Sequence, residues 1–135
     1  MTKLAKFIPI AGAALIMSTA VYAADAEISD TMKVVDPDMD NALTLEEAQA
    51  AGAKVFKKLN TDDDNTLEAD ELKGRVSERQ LKKADPDDDG SLDMAEYEAL
   101  IKKRFEAANP DGDDTIESDE LETKKGKKLL ELIQE

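Results

Sequence analysis

Four twelve-residue segments at near-constant spacing constrain this chain more than any other feature of it. They begin at Asp36, Asn60, Asp85 and Asn109, so successive starts lie 24, 25 and 24 residues apart. A fixed period that short marks a repeated supersecondary unit. The third copy, Asp85 to Glu96, is the most complete. Asp85, Asp87 and Asp89 send alternate carboxylates toward one concavity, and Gly90 supplies a sharp turn. The Ser91 carbonyl adds a backbone oxygen, Asp93 reaches a cation directly or through water, and Glu96 closes the shell with two oxygens. Acidic low-complexity sequence has no reason to hold that register four times.

The spacing is that of the EF-hand loop template, D-x-[DN]-x-[DN]-G-x5-E, which loop 3 meets at every constrained position. The expected metal ligands of loop 1 are Asp36, Asp38, Asp40, Ala42 through its carbonyl, Thr44 and Glu47. Loop 2 offers Asn60, Asp62, Asp64, Thr66, Glu68 and Glu71, and loop 3 offers Asp85, Asp87, Asp89, Ser91, Asp93 and Glu96. Loop 4 offers Asn109, Asp111, Asp113, Thr115, Glu117 and Glu120. An aliphatic eighth residue (Leu43, Leu67, Leu92, Ile116) is expected to face the core and pair with another loop.

The ligand chemistry is restricted to oxygen, because the chain has no cysteine and no histidine. Disulfides, thiolate catalysis and the usual zinc and copper ligands are thereby excluded. Hard cations remain: calcium, magnesium, manganese, or trivalent ions of calcium-like radius. The formal charge of −14 agrees. It argues against nucleic acid and anionic membrane as partners and for cations.

Residues 1–23 read as a secretory signal, with Lys3 and Lys6, an apolar run from Phe7 to Met17, and Val21-Tyr22-Ala23 as a small-residue cleavage pattern. The run is shorter than the roughly 18 residues of a spanning helix. Cleavage after Ala23 would leave residues 24–135 as one exported metal-binding domain with no membrane association. Loss of Lys3 and Lys6 takes −14 to −16; four divalent ions would bring −16 to −8, and four trivalent ions to −4. Without metal such a chain is expected to be loosened or disordered by its own repulsion.

Helical periodicity fills the connectors. Leu45, Ala48, Val55, Phe56 and Leu59 share one face, and Tyr97, Leu100, Ile101 and Phe105 another, read as core. Met32 and Val35 are expected anchors, and Gly52 weakens its helix unless a neighbour approaches closely. Residues 69–84 read as two short helices, with Gly74 ending the first and a Ser77/Gln80 capping box opening the second. The lysines at 124, 125, 127 and 128 read as a solvated break between two helical pieces. With only 12 or 13 residues between loops, each connector serves as exit from one loop and entry to the next. A helix of about 15 residues is roughly 22 Å long, which separates consecutive loops. The expected fold is all-α: four EF-hand loops joined by short shared helices around a compact three-helix core, loop 1 paired with loop 3 and loop 2 with loop 4.

These residues together resemble the lanmodulin family of periplasmic lanthanide-binding EF-hand proteins of methylotrophic bacteria. The resemblance covers the signal, four loops, short connectors and the segment Leu72-Lys73-Gly74-Arg75-Val76-Ser77-Glu78. Its most specific mark is proline at the second loop position, Pro37, Pro86 and Pro110. It implies binding of up to four lanthanide(III) ions of the lanthanum, cerium and neodymium class, with calcium a weaker or alternative ligand. It also implies metal-driven compaction and a role in lanthanide sequestration, uptake or trafficking, with a lanthanide-dependent methanol dehydrogenase or an uptake component as partner. The family's acidic ninth position is met by Glu68, Asp93 and Glu117; Thr44 departs from it, and Thr61 departs from the proline mark.

Asn60 and Asn109 each cost a formal charge at the first position. At the sixth, Asn41 and Asn65 tolerate a left-handed backbone better than Asp114 does. Loop 3 is therefore expected to be strongest, loops 1 and 2 intermediate, and loop 4 weakest. The competing reading is a calcium buffer or sensor; Met32, Met39 and Met94 are too few for a sensor's methionine-rich groove. An enzyme is not expected, because no activated nucleophile can be read and the acids are committed to the loops.

Overall fold

A computed structural model describes Asp30 and residues 32–135; the expected signal segment, residues 1–23, lies outside the described residues. Residues 32–35 are helical, and Met32 and Val35 are buried there as expected. The elements that follow are β1 (Ala42–Thr44), α1 (Leu45–Leu59), β2 (Thr66–Glu68), α2 (Glu78–Ala84), β3 (Ser91–Asp93), α3 (Met94–Ala108), β4 (Thr115–Glu117), α4 (Ser118–Leu121) and α5 (Lys124–Ile133). Among the described residues no helix is long and apolar enough to cross a membrane.

The chain is mostly helical but not all-α. Each loop contributes a three-residue strand, and the strands form two antiparallel ribbons, β1 with β4 and β2 with β3. Leu43 lies opposite Ile116, and Leu67 opposite Leu92. All four eighth-position side chains are fully buried. Loop 1 therefore lies beside loop 4 and loop 2 beside loop 3, which corrects the expected pairing of 1 with 3 and 2 with 4.

The middle connector supplies the reason. Helices α1 and α3 are 15-residue rods that hold their own two loops apart, but residues 69–76 are not the first of two helices. They form successive turns, with Leu72 N–H bonded to Glu68 O and Val76 N–H to Leu72 O, and Gly74 takes the left-handed φ of 86°. Only α2 follows, opened by the expected Ser77/Gln80 capping box. The chain reverses within this short stretch, so loops 2 and 3 meet, and α1 and α3 run antiparallel back to loops 1 and 4.

Helices α1, α3 and α5 pack on one another around the core. Phe56 and Tyr97 meet edge to face, 5.5 Å between ring centroids at 70°. A Cβ at Gly52 would overlap Ile101 Cδ1, so the glycine permits the close crossing of α1 and α3. Leu129, Leu130, Leu132 and Ile133 are buried within the chain. The break before α5 falls at Glu122 and Thr123 rather than at the lysines. Thr123 Oγ1 accepts the Gly126 N–H at 3.0 Å, which starts the helix ahead of the lysines and places all four inside it.

Side chains from elsewhere hold the far end of α5. Tyr97 donates to Leu132 O at 2.7 Å, and Arg75 to the carbonyls of Glu131 and Gln134 at 2.7 and 2.6 Å. Arg104, buried, donates to Lys128 O and lies 3.5 Å from the Glu131 carboxylate. The carbonyls of Glu131, Leu132 and Gln134, which the helix end leaves without an intrahelical partner, thus receive donors from the middle connector and α3, and Lys128 O within the helix receives an additional one.

Two outcomes follow from this packing. Gly52→Ala should destabilise the fold by about 1–3 kcal/mol, read by denaturant unfolding, because a methyl group there overpacks the α1–α3 crossing. Burial pushes the Tyr97 hydroxyl up from 10.0 to about 12. Its ionisation is suppressed in the fold, so its contribution is intact below pH 10 and is lost as pH rises toward 12. Tyr97→Phe should remove that alkaline decline while costing about 1 kcal/mol at neutral pH through the lost bond to Leu132.

Candidate metal centres

Each loop wraps its backbone around its own carboxylates. In loop 3, the buried Asp85 accepts the Gly90 N–H at 2.8 Å and the Asp89 N–H at 3.3 Å. Asp89 in turn accepts the Ser91 N–H and O–H, each at 2.9 Å. Loop 1 repeats this with Asp36, buried, which accepts from Met39 N–H at 2.8 Å and Asn41 N–H at 2.9 Å, while Asp40 accepts from Ala42 N–H at 2.9 Å. In loops 2 and 4, Asp64 and Asp113 accept from the N–H groups of Thr66 and Thr115 at 2.8 and 2.9 Å. Asn109 takes the aspartate's place in loop 4 and accepts the Gly112 N–H at 2.8 Å.

Turning the chain this tightly requires left-handed residues. Met39 and Asn41, Asp63 and Asn65, and Asp88 and Gly90 have φ between 58° and 90° at the fourth and sixth positions of loops 1 to 3. Loop 4 uses Gly112 at the fourth position alone, with φ 71°. Asp114, at the sixth position, is not left-handed, although Asp63 and Asp88 adopt that conformation at the fourth position of loops 2 and 3.

The result is a carboxylate cluster in every loop, each with one oxygen per residue lying within 4.8 Å of the others. These are Asp36, Asp38 and Asp40; Asp62, Asp64 and Glu68; Asp85, Asp87 and Glu96; and Asp111, Asp113 and Glu117. Such groupings could hold a metal ion, and their all-oxygen donor set suits a hard one. The expected carbonyl donors Ala42, Thr66, Ser91 and Thr115 open the four strands.

Three closing glutamates also serve the helix that follows. Glu47 accepts the Thr44 N–H at 2.9 Å, Glu96 the Asp93 N–H at 3.0 Å, and Glu120 the Glu117 N–H at 3.1 Å. Positions nine and twelve of the loop are thus the N-cap and third residue of a capping box. Sequence reasoning missed this, although the T-x-x-E and D-x-x-E spacing displays it.

Loop 2 departs from the others. Glu71 reaches back across ten residues to accept the Thr61 N–H at 2.8 Å and the Thr61 O–H at 2.9 Å. The proline at that position in the other loops has no N–H to offer. Two oxygens at the ends of this loop, Asn60 Oδ1 and Glu71 Oε2, are buried with no hydrogen-bond partner. Buried polar atoms are rarely left so, and a cation between them is a group that fits.

Crowded carboxylates shift one another. The Asp85 carboxylate is held below its ordinary value by the Gly90 N–H, while a side-chain hydrogen bond shared with Asp85 raises Asp87. Burial raises Glu96 and Glu120. For Glu71 burial acts upward but is outweighed by the hydrogen bonds from Thr61 and others, which leave it lowered.

A raised carboxyl contributes stability that is complete below its unfolded value and lost as pH rises through the folded one. The metal-free fold should therefore gain from Asp87, Glu96 and Glu120 on mild acidification. Metal affinity at loops 3 and 4 should fall over the same interval, because ligands must be deprotonated. Metal titration at several pH values checks the sign. In the same assay Glu96→Gln should weaken its loop by at least about tenfold, and cost more than Glu120→Gln, since loop 3 carries more ligand charge.

No family model and no curated protein matches this chain, so the functional reading rests on the loops themselves.

Proposed function

We propose that this chain is a periplasmic EF-hand protein that binds lanthanide(III) ions in preference to calcium, compacts on binding them, and serves lanthanide sequestration, uptake or trafficking. The observation that carries the reading is the fourfold register: a carboxylate cluster in every loop, built from oxygen alone. Charge supports the trivalent assignment. Four trivalent ions remove twelve of the sixteen negative charges of the cleaved chain and four divalent ions only eight. At close range each added charge on the ion acts on every carboxylate around it.

The resemblance to lanmodulin supplies the destination of the metal: a lanthanide-dependent methanol dehydrogenase or an uptake component as the receiving protein. The acids are committed to binding, and the function proposed is carriage of the ion rather than catalysis.

Competitive titration of residues 24–135 with lanthanum and calcium, followed by circular dichroism, tests this. The expected result is a gain of helix at lanthanum concentrations at least about a hundredfold below those needed for calcium, at up to four equivalents. Equal response to the two ions would establish a calcium buffer instead. A chain fully helical in strong chelator and unmoved by lanthanum would overturn both.

A further inference from the structure

Loop 2 is the one loop whose closing glutamate is already engaged at the loop's opposite end. Glu71 Oε1 receives both donors of Thr61, the N–H at 2.8 Å and the O–H at 2.9 Å. The second oxygen, Oε2, is buried and has no hydrogen-bond partner. Asn60 Oδ1, at the start of the same loop, is buried and unpartnered as well, on a residue only 9% exposed. The same contact is closed to loops 1, 3 and 4, where Pro37, Pro86 and Pro110 occupy the position of Thr61 and offer neither N–H nor hydroxyl.

The chemical consequence concerns how many oxygens the glutamate can give. A glutamate at the twelfth position of such a loop ordinarily supplies two, which suits a large ion with seven or eight ligands. An oxygen that already accepts two hydrogen bonds is a poorer and more distant donor to a cation. Glu71 then offers one free oxygen; Glu47 is held likewise, its Oε2 accepting both the N–H and the O–H of Thr44 at 2.9 and 2.8 Å, whereas Glu96 and Glu120 each hold a single backbone N–H. Smaller ions need fewer ligands, and selectivity between sizes follows ligand number and rigidity.

We infer that Thr61 is a specificity-determining, positioning residue: by holding one Glu71 oxygen it leaves loop 2 a ligand short, and so tunes this loop toward smaller cations than loops 3 and 4 take. The inference rests on the reading of the loops as metal sites given above. It assigns loop 2 a size preference unlike that of loops 3 and 4 within one chain, and traces the difference to the threonine that stands where those loops have proline.

The test uses residues 24–135 and titrates lanthanum and lutetium, the largest and smallest lanthanide(III) ions, against each other. Occupancy of loop 2 is followed through the amide resonances of Asn65 and Thr66. Thr61→Pro gives loop 2 the residue of its neighbours and should shift its preference at least about threefold toward lanthanum. Thr61→Ser keeps both donors and should behave as the parent. In a Glu71→Gln background the shift on Thr61→Pro should vanish, because the oxygen that Thr61 restrains has lost its charge.

An unchanged lanthanum-to-lutetium ratio in Thr61→Pro, with loop 2 still filled, overturns the inference and leaves the metal-site reading intact. If Thr61→Pro fails to fold with metal, Thr61→Val, which removes the hydroxyl donor alone, should give a smaller shift of the same sign; no shift overturns the inference. Resonances of loop 2 that respond to neither ion, with Glu71→Gln silent, overturn the reading of loop 2 as a metal site and the inference with it.

Discussion

Like-charge repulsion is the constraint that the rest of the structure accommodates. The four loops hold 23 of the 32 acidic residues and none of the 18 basic ones. Carboxylates crowded within 4.8 Å in each loop raise one another's energy in any fold that gathers them. The chain offsets part of this internally. Backbone N–H groups converge on Asp36 and Asp85, hydroxyls of Ser91 and Thr66 turn toward Asp89 and Asp64, and three closing glutamates accept from helix N-termini. These are dipoles answering full charges, and they leave a surplus that a cation is suited to remove.

What keeps the loops in place is apolar. The side chains at 43, 67, 92 and 116 are fully buried, and each lies opposite another across a ribbon of three residues a strand. A two-stranded ribbon that short has little stability of its own. It persists because both faces of the pair are anchored: one to the three-helix core, the other to the turns that cradle the acids. Any rearrangement of ligands in loop 2 is therefore one hydrogen-bonded residue from loop 3, and the same holds for loops 1 and 4.

Much of this was legible in the chain. The register of Asp and Glu located four loops, and the helical stripes found the buried faces of α1 and α3, with Tyr97 and Phe105 in the core. Ser77 with Gln80 announced the start of α2. The loop pairing was not legible, because it depends on whether residues 69–76 continue as a rod or turn, and Leu72 and Val76 carry an apolar spacing that suits either. Gly74 suits the end of a helix as well as a reversal, and its φ of 86° serves the reversal. Likewise the lysine run has the composition of a solvated break, but the Thr123 hydroxyl caps α5 immediately before it. The contact between Thr61 and Glu71 spans ten residues, beyond the reach of local patterns, although the missing proline marked the place.

Because α1 leaves loop 1 and enters loop 2, and α3 leaves loop 3 and enters loop 4, neither rod belongs to a single binding unit. Ordinary repeat proteins can gain or lose copies at the ends, since each copy meets only its neighbours. Here the ribbons tie first to last and second to third, closing the four units into a ring with no seam. Excising or transplanting one loop would orphan a ribbon partner and half a rod, so the smallest portable piece of this architecture is the whole of it.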